Sequence, residues 1–369
     1  MALSEDNISG ETMPDTLTTD RDDAINDAPD ALDLGDIYSE THASAHGDRT
    51  DRLNADELAA EWASFDQKSP ALHATVRVGF KTDLGRVREN NEDKFDMVEP
   101  ADPGFLASKG RLYGVADGMG GHSAGQIASE LALKTVIQHY YRDPSPHIIE
   151  SLRQAITEAN SLVFDTAQLI PERQGMGTTL TVAVLREDRI TIAHVGDSRA
   201  YLIRDGETRQ ITHDHSLVAE QVRQGAMTLE DAANSPLRNI ILRSIGTGPQ
   251  VQADFHEERV QPGDIFVLCS DGLTGHVAPH EIGDLAASPA ARRRGPSLAA
   301  YRLVDLANSR GGRDNISVVI VEVMAVEPYI SPVDDTQTGD GSVIVAEVVD
   351  HSIFSSHSDG QSDQVEPTA

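Results

Sequence analysis

The sequence has very little cysteine, few aromatic residues and, over its last part, no positive charge. A single cysteine, Cys269, occurs in 369 residues, which excludes an intramolecular disulfide and a thiolate-rich zinc site. It lies in the apolar run DIFVLCS, which favours a packed core thiol over a reactive one. No Lys or Arg follows Arg313, although acidic residues continue to Glu366. With a formal net charge of -30, the chain is a poor candidate for non-specific binding of DNA or RNA, which requires basic patches.

Targeting and membrane signals are also missing from the sequence. The N-terminal part has no basic stretch followed by an apolar one, as a secretory leader would have. The most apolar stretch, NISVVIVEVMAV, is too short to span a bilayer and contains Glu322. These observations predict a cytoplasmic, monomeric protein that has neither a membrane nor a nucleic acid as its partner.

Composition divides the chain into three parts. Residues 1–71 and 329–369 are acidic and poor in aromatic residues, so we expect both to be disordered. Residues 72–328 carry the regular apolar patterns of a folded domain. Within the first part, the segment LNADELAAEWASFD (53–66) places apolar residues at helical spacing, including the only tryptophan. It is either a short helix that packs on the folded domain or a docking motif for a partner.

Apolar periodicity predicts an α+β fold for residues 72–328. The predicted helices are QIASELALKTVIQHYY, HIIESLRQAITEANSLVFDTAQLI and a stretch that ends near Arg310. The predicted strands are ATVRVGFKT, RLYGVAD, TTLTVAVL, RITIAHVG, AYLIRDG, DIFVLCS and NISVVIVEV. Two consecutive helices followed by many strands of antiparallel type do not suit a parallel βαβ sheet. They predict sheets packed on each other, with helices outside.

Five aspartates are candidate ligands, and four of them directly follow or precede a short apolar run and have a glycine nearby. They are Asp93, Asp117, Asp197, Asp271 and Asp314. Each alone is also typical of an ordinary turn. Several carboxylates in one cleft would repel each other and need cations to stay ionised. Hard oxygen ligands favour Mg²⁺ or Mn²⁺ over Zn²⁺.

The order of these motifs resembles a known family. The segments RVRENNED, GVADGMGGHSAG, GMGTTLTVAVL, AHVGDSRAYLIRDG, LRSIG, LCSDGLTGHV and RDNISVVIV occur in this order. Together they closely resemble the metal-dependent serine/threonine protein phosphatases of type 2C (the PPM family) in its bacterial style, over residues 74–326. The resemblance implies a four-layer sandwich, with two antiparallel β-sheets flanked by antiparallel helix pairs. It also implies hydrolysis of phosphoserine and phosphothreonine in proteins by a metal-activated water at a binuclear Mn/Mg centre. No phosphoenzyme forms, and the reaction would reverse Ser/Thr kinase signalling.

The resemblance further implies a set of ligands for two Mn²⁺ or Mg²⁺ ions and a possible third. These ligands are Glu92, Asp93, Asp117, the carbonyl of Gly118, Asp197, Asp271 and Asp314. Asp117 would bridge the two ions, and Asp271 and Asp314 would hold one of them. Glu92 and Asp93 would act mainly through metal-bound waters. Asp197, together with Asp271, would hold the third and weaker ion.

The resemblance also implies residues that act on the phosphate. Arg88 matches the family's phosphate-binding arginine, and the nearby Arg86 is interpreted as a surface residue. Met119 stands where eukaryotic members often carry a histidine as candidate general acid, so the proton donor is either His122 or a metal-bound water. Asn315 fits the family's catalytic pattern, or it is a hydrogen-bonded turn residue.

Residues 213–248 resemble the family's flap beside the active site, which would help to select the phosphopeptide. His213 and His215 are interpreted as turn and hydrogen-bonding residues. Arg238 and Arg243 either pack the flap or meet phosphate, and the sequence leaves both possibilities open.

Three further hypotheses remain besides an active protein phosphatase. Two concern the activity of the folded domain, and one concerns the acidic N- and C-terminal parts, here called the tails. The first is a catalytically dead family member that binds phosphoproteins as a scaffold, but every expected carboxylate is present. The second is a phosphatase for small metabolites, which the open site of the family disfavours. The third concerns the tails, which are either solvated or regulatory; threonines between 12 and 19 offer hydroxyls for phosphorylation.

Overall fold

The computed structural model describes residues 71–120 and 123–329, without the side chain of Ala233. Eleven strands are described in these residues. They are β1 (Leu72–Asp83), β2 (Asp93–Val98), β3 (Arg111–Met119), β4 (Gly177–Thr178), β5 (Leu180–Arg186), β6 (Arg189–Val195), β7 (Arg199–Arg204), β8 (Glu207–Gln210), β9 (Asp254–Arg259), β10 (Ile265–Cys269) and β11 (Ile316–Pro328). All the strand pairs are antiparallel.

The strands form two sheets that pack on each other. One sheet has the order β1-β11-β10-β7-β8, and the other has the order β2-β3-β5-β6-β9, with β4 paired to β3. The two sheets enclose a cluster of buried apolar residues that includes Tyr113, Phe266 and Val319. The fold therefore has a sheet-on-sheet core, as the sequence predicts.

Helices cover the outer faces of both sheets. They are α1 (Pro103–Lys109), α2 (Ala124–Arg142), α3 (Ile148–Leu169), α4 (Leu217–Arg223), α5 (Leu229–Asn234), α6 (Asp271–Thr274), α7 (Pro279–Ala286), α8 (Pro289–Arg294) and α9 (Pro296–Ser309), and a 3₁₀ turn spans Pro171–Arg173. The pair α2 and α3 buries Leu133 and Ile156 against Leu180 of the second sheet. On the other side, α9 buries Leu303 against Val267 of the first sheet.

The central strands are apolar on both faces because both faces are covered. In β11, Val318 and Ile320 belong to the cluster under the helices, whereas Val319 and Val321 face the opposite sheet. This alternation follows from the two-residue period of a strand. The predicted four-layer α+β sandwich is thereby confirmed.

The hairpin loops and the end of the last long helix agree with the pattern of strands and helices in the sequence. Glu187 and Asp205, in the two short hairpin loops, have φ of 54° and 53°, the left-handed conformation that such loops require. The last long helix ends at Ser309, close to the predicted Arg310. Among the described residues, no helix is both long enough and apolar enough to cross a bilayer. The segment 53–66 lies outside the described residues, and the domain boundaries at 72 and 328 stay predictions.

Candidate active site

The sequence-predicted carboxylates come together at one end of the sandwich, where strands of both sheets begin or end. Asp93 opens β2 and pairs in register with Asp117 of β3. Asp197 follows β6, Asp271 begins α6 directly after β10, and Asp314 lies just before β11. Both sheets thus contribute ligands to one cluster.

The pKa values of these carboxyl groups show how closely they face one another. Burial raises the pKa of Asp117 well above its usual range, and repulsion from Asp93 and Asp271 raises it further. Burial, with repulsion from Asp271, raises the pKa of Asp93 to about 7. Burial and the same neighbour raise the pKa of Asp197 to about 8. Of these five aspartates, only Asp314 makes an ion pair within the described residues, with Arg88, so divalent cations would stabilise the cluster.

Two buried carboxylate oxygens, one of Asp93 and one of Asp197, also indicate a site for cations. Asp93 Oδ2 accepts a hydrogen bond from Ser270 Oγ at 2.7 Å, but Asp93 Oδ1 is buried without a partner. Asp197 Oδ1 is also buried and without a partner. An unpaired buried oxygen on an acidic side chain costs free energy unless a cation or an ordered water satisfies it. Both aspartates therefore fit the role of direct or water-mediated ligands.

The donors fit ions that keep several water ligands. Among the described residues, no group of three or more His, Cys, Asp or Glu side chains is arranged so that it could hold a metal ion by itself. Mg²⁺ in proteins commonly keeps several waters and takes only one or two carboxylates. The cluster matches that chemistry better than the closed tetrahedral cage of a structural zinc site.

Two glycines bring the start of α2 against the carboxylates. A Cβ on Gly118 would lie 2.0 Å from the carbonyl oxygen of Gly125, and a Cβ on Gly125 would lie 2.8 Å from Glu92 Oε2. Only glycine permits this approach of the two backbones. The backbone of Gly118 therefore lies close to Glu92 and to the start of α2.

Two threonines that the sequence analysis did not single out hold Asp117 in place. Thr179 Oγ1 accepts from the backbone N–H of Asp117 at 2.9 Å, and Thr179 N–H donates to the Asp117 carbonyl at 2.8 Å. Thr178 Oγ1 donates to the same carbonyl at 2.9 Å. The sequence predicts one strand, TTLTVAVL, but the structure interrupts it at Thr179, between β4 and β5. That residue bonds across to Asp117.

Asn315 is committed to the backbone rather than to a substrate. Its Oδ1 accepts from Glu92 N–H at 2.8 Å, and its Nδ2 donates to the carbonyls of Leu84 and Asn90 at 3.0 and 2.9 Å. The side chain is buried. We therefore interpret Asn315 as a positioning residue for the loop before β2, which agrees with the hydrogen-bonded turn residue left open above.

Arg88 projects from that loop beside the cluster. Its Nη2 donates to Asp314 Oδ2 at 2.7 Å, and this bond raises the pKa of the guanidinium. About half of the Arg88 side chain is exposed, so the guanidinium is accessible from solvent while it contacts Asp314. Arg86 is exposed, as expected. His122 lies outside the described residues.

A cleft of about 1130 Å³ leads away from the cluster. One wall includes Asp197 and Asp271, and the other is formed by residues 213–243, with α4 and α5. These residues coincide with most of the predicted flap.

The base of the flap is tied to the sheet by His215 and Arg243. His215 Nδ1 accepts from Gly196 N–H at 3.1 Å, which leaves its Nε2–H to donate to Asp254 Oδ2 at 3.2 Å. Arg243 Nη1 donates to Asp254 Oδ1 at 2.9 Å. Arg243 therefore packs the flap, and His215 is the hydrogen-bonding residue that the sequence predicts.

Comparison with known proteins points to one family. The model of the family Protein phosphatase 2C matches residues 88–303. The serine/threonine phosphatase stp of Listeria welshimeri is 40% identical over 247 residues, which cover 66% of this chain and 94% of that protein. The family match ends before Asp314 and Asn315, whose place beside the other residues rests on the contacts above.

Solved structures of the same kind share the fold. The crystal structure of Stp1 from Staphylococcus aureus has a TM-score of 0.63 and 31% identity, and the match covers 70% of this chain and 98% of that one. The catalytic domain of the serine/threonine protein phosphatase PstP, in complex with two manganese ions, has a TM-score of 0.59 and 34% identity. That match covers 69% of this chain and 100% of the other.

Proposed function

Since this chain belongs to the protein phosphatase 2C family and is a serine/threonine protein phosphatase, we propose that it works through two Mn²⁺ or Mg²⁺ ions held by the carboxylate cluster. The observation that supports this most is the meeting of carboxylates from both sheets around Asp117, whose pKa is raised by burial and by repulsion from Asp93, Asp271, Asp197 and Asp314. The PstP structure with two manganese ions is consistent with it.

We assign the ligands as follows. Asp117 and the carbonyl of Gly118 would be ligands of the two ions, together with Asp271 and Asp314. Glu92 and Asp93 would act through waters. Asp197, with Asp271, would hold a third, weaker ion. The partnerless oxygens of Asp93 and Asp197 support their inclusion in this set.

Held by these residues, divalent ions would lower the pKa of a bound water enough to supply hydroxide near neutral pH. The residues of the chain orient the reaction around them. Thr178 and Thr179 fix the backbone of Asp117 at both its N–H and its carbonyl. Arg88 offers a planar fork that suits two oxygens of the phosphoryl group and the charge that develops on them.

A covalent phosphoenzyme on the only cysteine is disfavoured by the structure of the core. Cys269 is fully buried, and burial raises the pKa of its thiol to about 12. The thiolate, which would be the nucleophile, is thus scarce at neutral pH. Direct attack by water remains the simpler route, and His122 stays the candidate donor of a proton to the leaving group.

The substrates that we propose are proteins phosphorylated by Ser/Thr kinases, and we propose a monomer that acts in the cytoplasm. The cleft beside the cluster, at about 1130 Å³, is larger than a typical small-molecule pocket, which favours a protein substrate over a small metabolite. The complete set of acidic residues disfavours a catalytically dead scaffold.

The test is Mn²⁺-dependent release of phosphate from a phosphothreonine peptide by the full chain and by Asp117→Ala. We expect release by the unchanged chain, no detectable release by the variant, and weaker Mn²⁺ binding by the variant in calorimetry. Asp165→Ala, which removes an exposed carboxylate on α3, serves as the matched control and should keep the activity. No release by the folded, unchanged chain in Mn²⁺ or Mg²⁺ would contradict the proposal and revive the scaffold hypothesis.

A further inference from the structure

Two arginines beside the carboxylate cluster have no acidic partner. Arg238 follows α5 and lines the cleft on the flap side. Arg313 directly precedes Asp314. Both side chains are exposed, and within the described residues neither guanidinium makes an ion pair or a side-chain hydrogen bond. Two unpaired cations thus lie next to the proposed metal site.

The other arginines of the cleft are all neutralised. Arg199 Nη2 lies 2.6 Å from Asp214 Oδ2, and Arg243 Nη1 lies 2.9 Å from Asp254 Oδ1. Arg223, at the end of α4, pairs with Glu220 of the same helix. In a chain with a formal net charge of -30, acidic partners are plentiful. Among the arginines that line this cleft, Arg238 is thus the one without an acidic partner in the described residues.

One loop brings the two arginines into the same neighbourhood. His276 follows α6 and accepts a hydrogen bond at Nε2 from the backbone N–H of Arg313, at 3.2 Å. Burial lowers the pKa of His276, and the positive charges of Arg313 and Arg238 lower it further. Both guanidiniums therefore lie within electrostatic reach of one imidazole.

The third arginine in this neighbourhood is already occupied. Arg310 Nη1 donates to the carbonyl of His276 at 2.8 Å, and the same guanidinium bonds both carboxylate oxygens of Glu281, at 2.7 and 2.8 Å. Arg310 thus supports the loop, whereas Arg238 and Arg313 keep their donors free.

We propose that Arg238 and Arg313 form an anion subsite that binds a second anionic group of the substrate, a carboxylate or a further phosphate, near the scissile phosphoresidue. The proposal rests on the protein phosphatase function and narrows its substrate class. Arg238 lines the cleft from the flap, and Arg313 adjoins the metal ligand Asp314. A peptide that places its phosphate at the metals would therefore have flanking residues near these two guanidiniums.

The chemistry of arginine suits this task. Its planar fork matches the oxygens of carboxylates and phosphates. A second benefit concerns the whole chain, because a phosphatase of strong negative charge repels its negatively charged substrates at long range. Local cations at the cleft offset this repulsion where the substrate binds.

The experiment compares kcat/KM for three phosphothreonine peptides that differ only in their flanks: neutral residues, glutamates, or a second phosphoserine. The unchanged full chain should prefer at least one anionic flank by about tenfold, the effect of one charge-assisted hydrogen bond. In Arg238→Ala/Arg313→Ala, the ratio of kcat/KM for the anionic peptide to kcat/KM for the neutral peptide should fall to about 1. Arg238→Glu should lower it below 1, because the new carboxylate repels the anionic flank. Arg223→Ala, an arginine of the same cleft that is paired with Glu220, should keep the ratio of the unchanged chain.

The outcomes separate the two proposals. Preference for the glutamate peptide alone identifies a carboxylate ligand, and preference for the doubly phosphorylated peptide alone identifies a phosphate. Equal turnover of all three peptides by the unchanged chain, or a preference that survives in the double variant, overturns the subsite and leaves the phosphatase function intact. Absence of turnover on every peptide overturns both.

Discussion

At the scale of single residues, the site is built from groups that are unfavourable for the fold by themselves. Asp93 is 2% exposed, has one carboxylate oxygen without a partner, and faces the charges of Asp271 and Asp314. Such an arrangement lowers the stability of the metal-free protein, because burial and repulsion both oppose the ionised form. Stability that is given up at a functional site is regained when its ligand binds.

Replacing Asp93 by asparagine should make the metal-free protein more stable and weaken its metal binding. The amide removes the buried charge and can still accept the hydrogen bond from Ser270. We expect the free energy of unfolding in EDTA to rise by about 1 kcal/mol and the affinity for Mn²⁺ to fall. Urea denaturation and calorimetry measure the two effects. Asp96→Asn, farther along β2, should change neither; a destabilised Asp93→Asn with normal Mn²⁺ affinity would contradict the interpretation.

His194 should make the folded protein sensitive to mild acid. Burial and the nearby His215 lower its pKa to about 3, against 6.5 for the free imidazole, despite the charge of Asp254. The ring lies 4.9 Å from that of His215, and its Nδ1 is 2.9 Å from Thr181 Oγ1. Below pH 6.5 the unfolded chain takes up a proton that folded His194 does not. Stability contributed by this group is therefore complete above pH 6.5 and is lost as the pH falls.

The measurement is the free energy of unfolding between pH 5 and pH 7, with and without His194→Gln. Below pH 6.5, the free energy of unfolding of the unchanged chain should fall more steeply with decreasing pH than that of the variant. The difference between the two slopes should be up to about 1.4 kcal/mol per pH unit. His280→Gln, which removes an exposed imidazole, is the control and should keep the slope. An unchanged slope in His194→Gln would show that other groups cause the acid sensitivity.

At the scale of the elements, strand ends and one helix start are held together by backbone contacts. The carbonyl of Glu92, at the start of β2, accepts from the N–H of Gly118 at the end of β3 and from Ser129 Oγ of α2. The N-terminus of α2 can approach only because Gly118 and Gly125 have no side chains. Three elements thus converge on one point, and the ligands follow from where these elements end.

Gly118→Ala should disrupt this junction. Its Cβ would lie 2.0 Å from the carbonyl oxygen of Gly125, and a backbone atom cannot turn aside as a side chain can. We expect a loss of about 3 kcal/mol in the free energy of unfolding, with loss of Mn²⁺ binding. Urea denaturation and calorimetry again apply. Gly248→Ala, whose Cβ would meet only Gln250 O at 3.8 Å, is the control for the loss of a glycine and should be nearly neutral. Equal effects of the two changes would contradict the steric argument.

At the scale of the whole molecule, the sandwich closes on itself. The first described strand, β1, pairs with the last, β11, along its full length. Just beyond this pair, Tyr329 N–H donates to the carbonyl of Ala71 at 3.2 Å. The three apolar clusters all draw on residues between these ends. The described residues thus contain a complete set of packed layers.

A fragment of residues 71–329 should therefore fold cooperatively and keep the phosphatase activity of the full chain. We expect its free energy of unfolding to lie within about 1 kcal/mol of the full chain, since the apolar clusters are retained. Denaturation and kcat/KM on a phosphothreonine peptide test this. A fragment of residues 84–329, which lacks β1, should not fold. A large change in kcat/KM on removal of the acidic ends would support the regulatory hypothesis for them.

Much of the fold and the cluster could be predicted from local patterns. Apolar periodicity depends only on which face of an element is buried, so it identified the long helices and most strands correctly. Four of the five aspartates, each beside an apolar run with a glycine nearby, marked the ends of elements where side chains of a cluster would lie. Strand β11 shows why the prediction from periodicity succeeds. Both of its faces are covered, so apolar residues occur at consecutive positions of its sequence.

Tertiary structure alone decided which groups meet. The sequence left the roles of Arg238 and Arg243 equally open. In the described residues, the fold brings Asp254 to Arg243 and no acidic side chain into an ion pair with Arg238. Thr179 looked like one more strand residue until β3 placed Asp117 opposite its hydroxyl. Such partners lie far apart in the chain, and their meeting depends on how sheets and helices pack. The sequence by itself determined which residues are buried and where elements end, whereas hydrogen bonds and ion pairs between distant residues followed only from the packed whole.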